Sequence, residues 1–511
     1  MNKIIFSITF LLFQLISFAQ APIIEWQKSM GGTGMDVPKS VKQTSDGGSI
    51  VAGYTYSNNL DVSGNHGGYD AWIVKLSNLG IVEWKKTIGG TNDDYIYSIV
   101  QTTDGGYFIS GYSASNNGDV SGNHGGNDIW VAKLSDIGDI QWQKSFGGTG
   151  EEISYKGQQT SDGGYIVCGY TYSTDGNVTG NHGGYDGWII KMSSLGVLEW
   201  QKTYGGTLTD YIESIQQTID GGYILAGYSS STNGDISGNH GGTDMWVVKI
   251  SSSGSIQWQR PLGGSNTDQA KEILQIADGS YIVVGYTGSV NGDVAVNQGS
   301  NDAWVVKLSS SGNLLWQKTF GGTLGDGAYE VLQDIDGGII IGCSSTSVDG
   351  DIINYQGGYD VWIFKLNASG IMLWKKNLGG TGSDFPHSMV KTSDGGCLIA
   401  SVSDSSNGDL TLNLGFNDFW IVKLSADNLS TTNFSKNKFN IYPNPVKTIL
   451  QIKNNDNLGL DKVIISDLTG KEVLNQNEFV NQINLEQLTK GMYFITFYSG
   501  LEKYITKFIK E

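Results

Sequence analysis

The chain repeats itself seven times at one interval. The turn "DGG" begins at Asp46, Asp104, Asp162, Asp220, Asp336 and Asp394, and as "DGS" at Asp278, so that every step is 58 residues. Asp-x-Trp follows the same interval at Trp72, Trp130, Trp188, Trp246, Trp304, Trp362 and Trp420. A third register, of the type "WQK", falls at Trp26, Trp84, Trp142, Trp200, Trp258, Trp316 and Trp374, and the two registers together use all 14 Trp. A period of this length, kept without insertion, means that each copy is one unit burying its apolar face against its neighbours. Composition says which kind of unit. Gly is 73 of 511 residues and Pro only 6, with 11% aromatics, which suits strands joined by tight turns and excludes a disordered Pro/Gly tract.

One copy, residues 96 to 146, resolves into four strands. "IYSIVQTT" and "YFISGYS" flank the DGG turn; a long Gly/Asn loop follows; "IWVAKLS" and "IQWQKSF" flank a short turn. In the last of these Ile140 and Trp142 share a face with period two. Four antiparallel strands repeated radially make a β-propeller blade. The third register begins at Trp26, before the first full blade, and is missing after "FWIVKLS" at 419 to 425. Residues 23 to 29 are therefore expected to supply the fourth strand of blade seven, so that no edge is left open. The expectation is an all-β, seven-bladed propeller over 21 to 426. The segment "KLSSSGNLLW" at 307 to 316 resembles repeats of bacterial propellers, including the quinoprotein type, and the DGG turn is similar to that of kelch-type blades. The first resemblance implies that each Trp of the third register docks on the Gly-containing turn of the next blade.

The ends read differently. Residues 1 to 20, with Lys3 before an apolar run and Ala19 near its end, read as a secretory signal peptide. No other stretch is long and apolar enough to be expected to span a membrane once the signal is cleaved. The period stops after Leu424, and 427 to 438 is a polar linker. The tail, 439 to 511, carries Tyr442, Pro443, Asn444 and Pro445, then Asp467, Gly470 and Lys471, then Leu488, Gly491, Tyr493 and Phe494, and lastly Lys507. On these residues it resembles the type A C-terminal sorting domain of the type IX secretion system of Bacteroidetes. The resemblance implies a small β-sandwich, recognition by the type IX secretion machinery, and passage through the periplasm. The protein would end up secreted or on the outer cell surface.

Net charge is −18, and because 436 to 511 is slightly basic the acid excess lies in the repeats. Such a surface is a poor partner for nucleic acid. Cys168, Cys343 and Cys397 lie in or at the start of apolar strands, without metal-ligand spacing, and read as buried free thiols. The long loops and the GGT loops between blades share one face. There Asp36, Asp70 and their equivalents recur in every blade, as do Lys75 and Lys28; a residue needed seven times reads as inter-blade ion pairs and loop caps. His66, His124, His182 and His240 occupy one loop position, replaced by Gln298, Gln356 and Leu414 later. They sit too far apart for one zinc ion, and the loop reads as a Gly-rich turn whose Asn and His bond their own backbone. A calcium site built on Asp119 and Asp128 is a possibility left open; no other cofactor is expected. The ligand-binding candidates are Tyr54, Tyr112, Tyr170 and Tyr228 with Asn123 and the four loop histidines. Aromatics beside Asn and Asp suit sugar stacking, or a surface protein. No nucleophile or phosphate-loop motif is present, and no carboxylate pair stands out from the repeats. His387, unrepeated, reads as a packed or capping histidine. The expected function is non-catalytic binding or adhesion. Alternatives are a glycan-cleaving or quinone-dependent enzyme, or a passive structural surface protein.

Overall fold

A computed structural model describes residues 21–427, 439–454, 461–467, 471–476, 481–499 and 502–511. The expected signal peptide, nearly all of the linker, and Gly470 lie outside the described residues. The chain divides into two compact units, one ending at Asp427 and one beginning at Asn428.

The first unit holds seven four-stranded antiparallel sheets. Blade one consists of Asp36–Gln43, Ser49–Thr55, Asp70–Leu76 and Val82–Ile88, and blades two to six repeat it. In blade seven the fourth strand is Ile24–Met30, which pairs antiparallel with Asp418–Leu424, Gln27 facing Val422. Its indole-binding partner is the one found in blades three, four and five. Trp420 Nε1 donates to Gln27 at 2.8 Å, as Trp246 does to Gln259 at 3.0 Å in blade four.

The core lies between blades. Ile50, Ile73 and Ile88 of blade one pack with Ile96, Ile109 and Trp130 of blade two. Val51 and Trp72 of blade one likewise pack with Leu398, Phe419 and Ile421 of blade seven. Every third-strand Trp is buried. The third-register Trp docks as expected. A Cβ placed on Gly138 would lie 2.9 Å from the Trp84 ring, and one on Gly80 2.9 Å from the Trp26 ring. Gly there keeps the turn flat against the indole of the preceding blade, in a left-handed conformation that suits Gly. The Trp of blade six departs from the rule: Trp374 is buried and donates to Asp427 at 2.8 Å.

One feature was not expected from the pattern. Every innermost strand carries a β-bulge at the same place, in blade one between Pro38 and Ser40, which leaves Lys39 out of register. The strand behind it approaches closely: a Cβ on Gly53 would lie 2.0 Å from the Val37 carbonyl. Bulges re-aim side chains, and here they decide what lines the centre of the propeller.

The second unit has two antiparallel sheets. Phe439–Tyr442, Ile449–Asn454 and Gln482–Asn484 form one. Glu472–Gln476, Lys462–Ser466, Gly491–Ser499 and Glu502–Lys510 form the other. Val446, Leu450, Val463, Ile495 and Phe508 are among the apolar residues of its core, which is the packing of a small sandwich.

Candidate functional site

The repeated acids of the loop face are mostly consumed by the fold. Asp36 is buried and accepts hydrogen bonds from the Gly32 N–H at 2.7 Å, from Ser57 Oγ at 2.9 Å, and from Thr55 Oγ1. It ties the inter-blade loop to the end of the second strand, and burial pushes its carboxyl up. Asp94, Asp210, Asp268, Asp326 and Asp384 accept the equivalent Gly N–H bond and tie their own loops in the same way.

The histidine loop also has a defined geometry. Asn123 donates to the carbonyls of Ser113 and Gly126 at 2.9 and 3.1 Å and accepts from the Gly125 N–H at 3.0 Å. The expected backbone bonding is thus true of Asn. It is wrong for the imidazoles, whose Nδ1 lies against a carboxylate instead. His66 meets Asp70 at 2.7 Å, His124 meets Asp128 at 2.6 Å, and His182 and His240 meet Asp186 and Asp244 at 2.7 Å. Those carboxylates are fully buried, and burial pushes Asp70 and Asp186 up to about 6. The other ring nitrogen looks toward the next blade: His240 Nε2 is 3.8 Å from Asp293, and Gln356, at the same position in blade six, donates to Asp409 at 3.0 Å. Of the calcium candidates, Asp119 accepts from the Gly89 N–H at 3.2 Å and Asp128 is held by His124. The buried Oδ1 of Asp128 has no hydrogen-bond partner. A groove of about 450 Å³ runs past His182 and Asp235 between blades three and four.

The lysine ring differs from expectation. Lys75 pairs with Asp46 at 2.9 Å and Glu83 at 3.0 Å, both in its own blade, and Lys133, Lys191 and Lys249 likewise reach the DGG aspartate of their own blade. The reason is register: the third-strand Lys lies beside the DGG turn that opens the second strand of the same sheet. Lys86 does cross, meeting Asp139 of blade two at 2.5 Å.

The centre of the propeller is where the repeat breaks. The bulge position holds Lys39, Tyr97, Tyr155, Glu213, Lys271, Tyr329 and His387 in blades one to seven. All seven line one cavity of about 190 Å³, with Lys42, Lys156, Glu272 and Glu330 from neighbouring positions. Lys271 pairs with Glu213 at 2.5 Å, and Lys156 with Glu272. Lys39 Nζ instead lies 3.4 Å from both ring nitrogens of His387 and 5.3 Å above the Tyr97 ring. Burial pulls the Lys39 ammonium down to about 8, and burial with Lys39 beside it pulls His387 well below its ordinary value. Burial, with Glu272 nearby, pushes Glu330 up to about 8. His387 is therefore a channel residue rather than a cap. The signal for this ring was present: one strand position that fails to repeat while its flanks do.

The tyrosines form a chain leading to this cavity. Ring centroids step from Tyr69 to Tyr54 (5.5 Å), Tyr95 (4.4 Å) and Tyr112 (4.6 Å). From there they run to Tyr97 (5.9 Å), Tyr155 (5.7 Å), Tyr170 (5.8 Å), Tyr211 (4.4 Å) and Tyr228 (5.0 Å). Tyr54, Tyr112 and Tyr228 are half-buried and Tyr170 is buried, so these four serve mainly as the inner course of the chain. The exposed rings are two that the sequence pattern did not single out, Tyr56 at 60% and Tyr172 at 55%, which pack on Tyr69 and Tyr185.

In the tail, Asn444 and the strand bearing Lys507 come together. Asn444 donates to the Lys507 carbonyl at 3.3 Å and accepts from the Ile509 N–H at 2.9 Å. Tyr493, in the strand that begins at Gly491, stacks on Phe508 with its hydroxyl on the Thr489 carbonyl. Tyr442 is exposed beside Pro443 and Pro445.

Comparison with known proteins agrees with this division. Residues 440–511 match the family of the secretion system C-terminal sorting domain. Regulatory protein FlaEY of Caulobacter vibrioides is 25% identical over 235 residues, 42% of this chain and 23% of FlaEY, so the chain spans about a quarter of that relative. Among solved structures, the chain is similar to PorZ, a surface component of the type IX secretion system of Porphyromonas gingivalis. The TM-score is 0.34 and the identity 12%, over 91% of this chain and 69% of that one. It is also similar to the β-propeller domain of the Trilobed protease of Pyrococcus furiosus, with TM-score 0.36 and 8% identity over 73% and 92%. Puromycin hydrolase gives 0.41 and 10% over 72% and 50%. These scores are too low to carry a function across. The blade topology and the matched tail together make this chain a seven-bladed β-propeller protein carrying a type IX C-terminal sorting domain, which implies a secreted or outer-surface protein.

Proposed function

We propose that the propeller is a non-catalytic glycan-binding module delivered to the cell exterior by its sorting domain, after passage through the periplasm. The observation that carries this is the tyrosine chain, which runs from exposed rings on the loop face to the lining of the central cavity. Aromatic faces flanked by Asn and Asp are the surfaces on which sugar rings stack while their hydroxyls find hydrogen bonds. Two of the three channel carboxylates, Glu213 and Glu272, are engaged by lysines, which suits binding rather than acid–base work. A glycan array probed with the purified chain is expected to show selective binding that Tyr56→Ala with Tyr172→Ala weakens. A blank array, or binding indifferent to that pair, contradicts the reading.

Glu330, whose carboxyl burial and the nearby Glu272 push up to about 8, favours a second reading as a glycan-cleaving enzyme. Incubating the chain with the bound oligosaccharide and measuring new reducing ends separates the two: release of ends that Glu330→Gln abolishes would establish cleavage.

A further inference from the structure

The repeat itself shows which channel residue the fold does not need. At the bulge position three blades carry Tyr, namely Tyr97, Tyr155 and Tyr329, so the blade folds with a phenol there. Blade one carries Lys39. Glu213 and Lys271 at the same level neutralise one another. Among the described residues, no carboxylate lies within ion-pair distance of Lys39, whose neighbours are His387 and the rings of Tyr54 and Tyr97. The opposite charge that acts on it, Glu213, is already ion-paired with Lys271, and an enclosed ammonium without a carboxylate of its own gains when something anionic joins it. Three residues along the same strand, Lys42 adds a second lysine to the lining, with Glu330 and Glu272 among the charges that act on it. These lysines lie inside a chain whose net charge is −18.

The space fits a small molecule. At roughly 30 Å³ of liquid volume per water, a cavity of about 190 Å³ corresponds to about six waters, which is the scale of one sugar ring. Tyr97, Tyr155 and Tyr329, each with a phenol hydroxyl, line the same cavity. We propose that the channel is a site for an acidic sugar, with Lys39 receiving the carboxylate and the tyrosine hydroxyls receiving the ring hydroxyls. The proposal rests on the glycan-binding reading above and names the ligand class at the inner end of its tyrosine chain.

The test is calorimetric titration of the purified chain with glucuronate, glucose and acetate. Glucuronate differs from glucose by its carboxylate and from acetate by its sugar ring. The expected order is glucuronate above glucose by about tenfold or more, the usual range for a charge-assisted hydrogen bond, with acetate weakest. Lys39→Tyr, which copies a residue the fold accepts in three other blades, should remove the preference, so that glucuronate binds no more tightly than glucose. Lys39→Arg should keep most of it. Equal binding of glucuronate and glucose, acetate binding as tightly as glucuronate, or a preference that survives Lys39→Tyr overturns the proposal. If glucose still binds and the Tyr56/Tyr172 pair still weakens it, the glycan reading stands while the acidic-sugar site falls. If no sugar binds and the array is blank, both fall.

Discussion

Replacing Gly80 by Ala tests whether blade seven meets blade one as the other blades meet each other. Gly80 has φ +73° in the turn after the third strand of blade one, and the Trp26 ring of blade seven lies on it. Gly138 has φ +84° and carries Trp84 in the same way between blades one and two. Gly105, φ +86°, is a control, because a Cβ there meets nothing within 4 Å. An alanine in the left-handed region costs about 1–2 kcal/mol. At Gly80 and Gly138 the new Cβ would also stand 2.9 Å from an indole carbon, so the ring must retreat. Overpacking of this kind costs roughly 1–3 kcal/mol, which brings the expected loss to about 2–5 kcal/mol. Urea unfolding of the purified chain, followed by tryptophan fluorescence, gives the three values. Gly80→Ala and Gly138→Ala should fall together and well below Gly105→Ala. If Gly80→Ala costs no more than Gly105→Ala, Trp26 does not hold blade seven to blade one and the reasoning fails.

Deleting 24–30 removes the fourth strand of blade seven and bares the edge at Asp418–Leu424, so cooperative unfolding should be lost; an unchanged melting curve contradicts this. Stability should peak near pH 4 in denaturant titrations. Asp70, Asp186, Asp302, Asp360 and Asp418 have folded pKa values raised to about 6 by burial, so their contribution is complete below 3.8 and is lost as pH rises through 6. The DGG aspartates Asp104 and Asp278, lowered to about 2 by their Thr102 and Ser280 hydroxyls and by Lys133 and Lys307, act oppositely: they stabilise above 3.8 and that is lost as pH falls through 2. Removing 440–511 should leave the propeller folded and keep it from the cell surface, read by surface proteolysis of intact cells. Changing His and Asn to Ala in the "NHGG" loops of blades one to four should cost binding progressively if each loop adds a weak contact; unchanged binding in the four-loop variant would make them hinges alone.

The blades were legible because their determinants are local and recur. The Asp-x-Trp register places Trp72 and its equivalents in the core, and the DGG turn fixes the hairpin at Asp46. The unmatched strand at Trp26 announced its partner by arithmetic. The tail was legible from residues such as Asn444, whose side chain ties the turn after Phe439–Tyr442 to the last strand. The channel was not. Its lining depends on a bulge, which no alternation of apolar and polar residues announces, and reading for what repeats hides Lys39, Glu213, Lys271 and His387, which share a position and nothing else. The partner of each loop histidine was also hidden. His66 and Asp70 are four residues apart in a loop, and only the turn at Gly67 and Gly68 brings them together.

The proposed ligand lies on the loop face and in the channel beneath it. Hydrogen exchange of the full chain, with and without the glycan that binds best on the array, tests this directly. The prediction is slowed exchange in the innermost strands at Asp36–Gln43, Asp94–Gln101 and Glu152–Gln159 and in the loops after Thr55 and Thr171, with no change at the DGG turns on the opposite face. Protection centred on the DGG turns, or spread evenly over all seven blades, would contradict it.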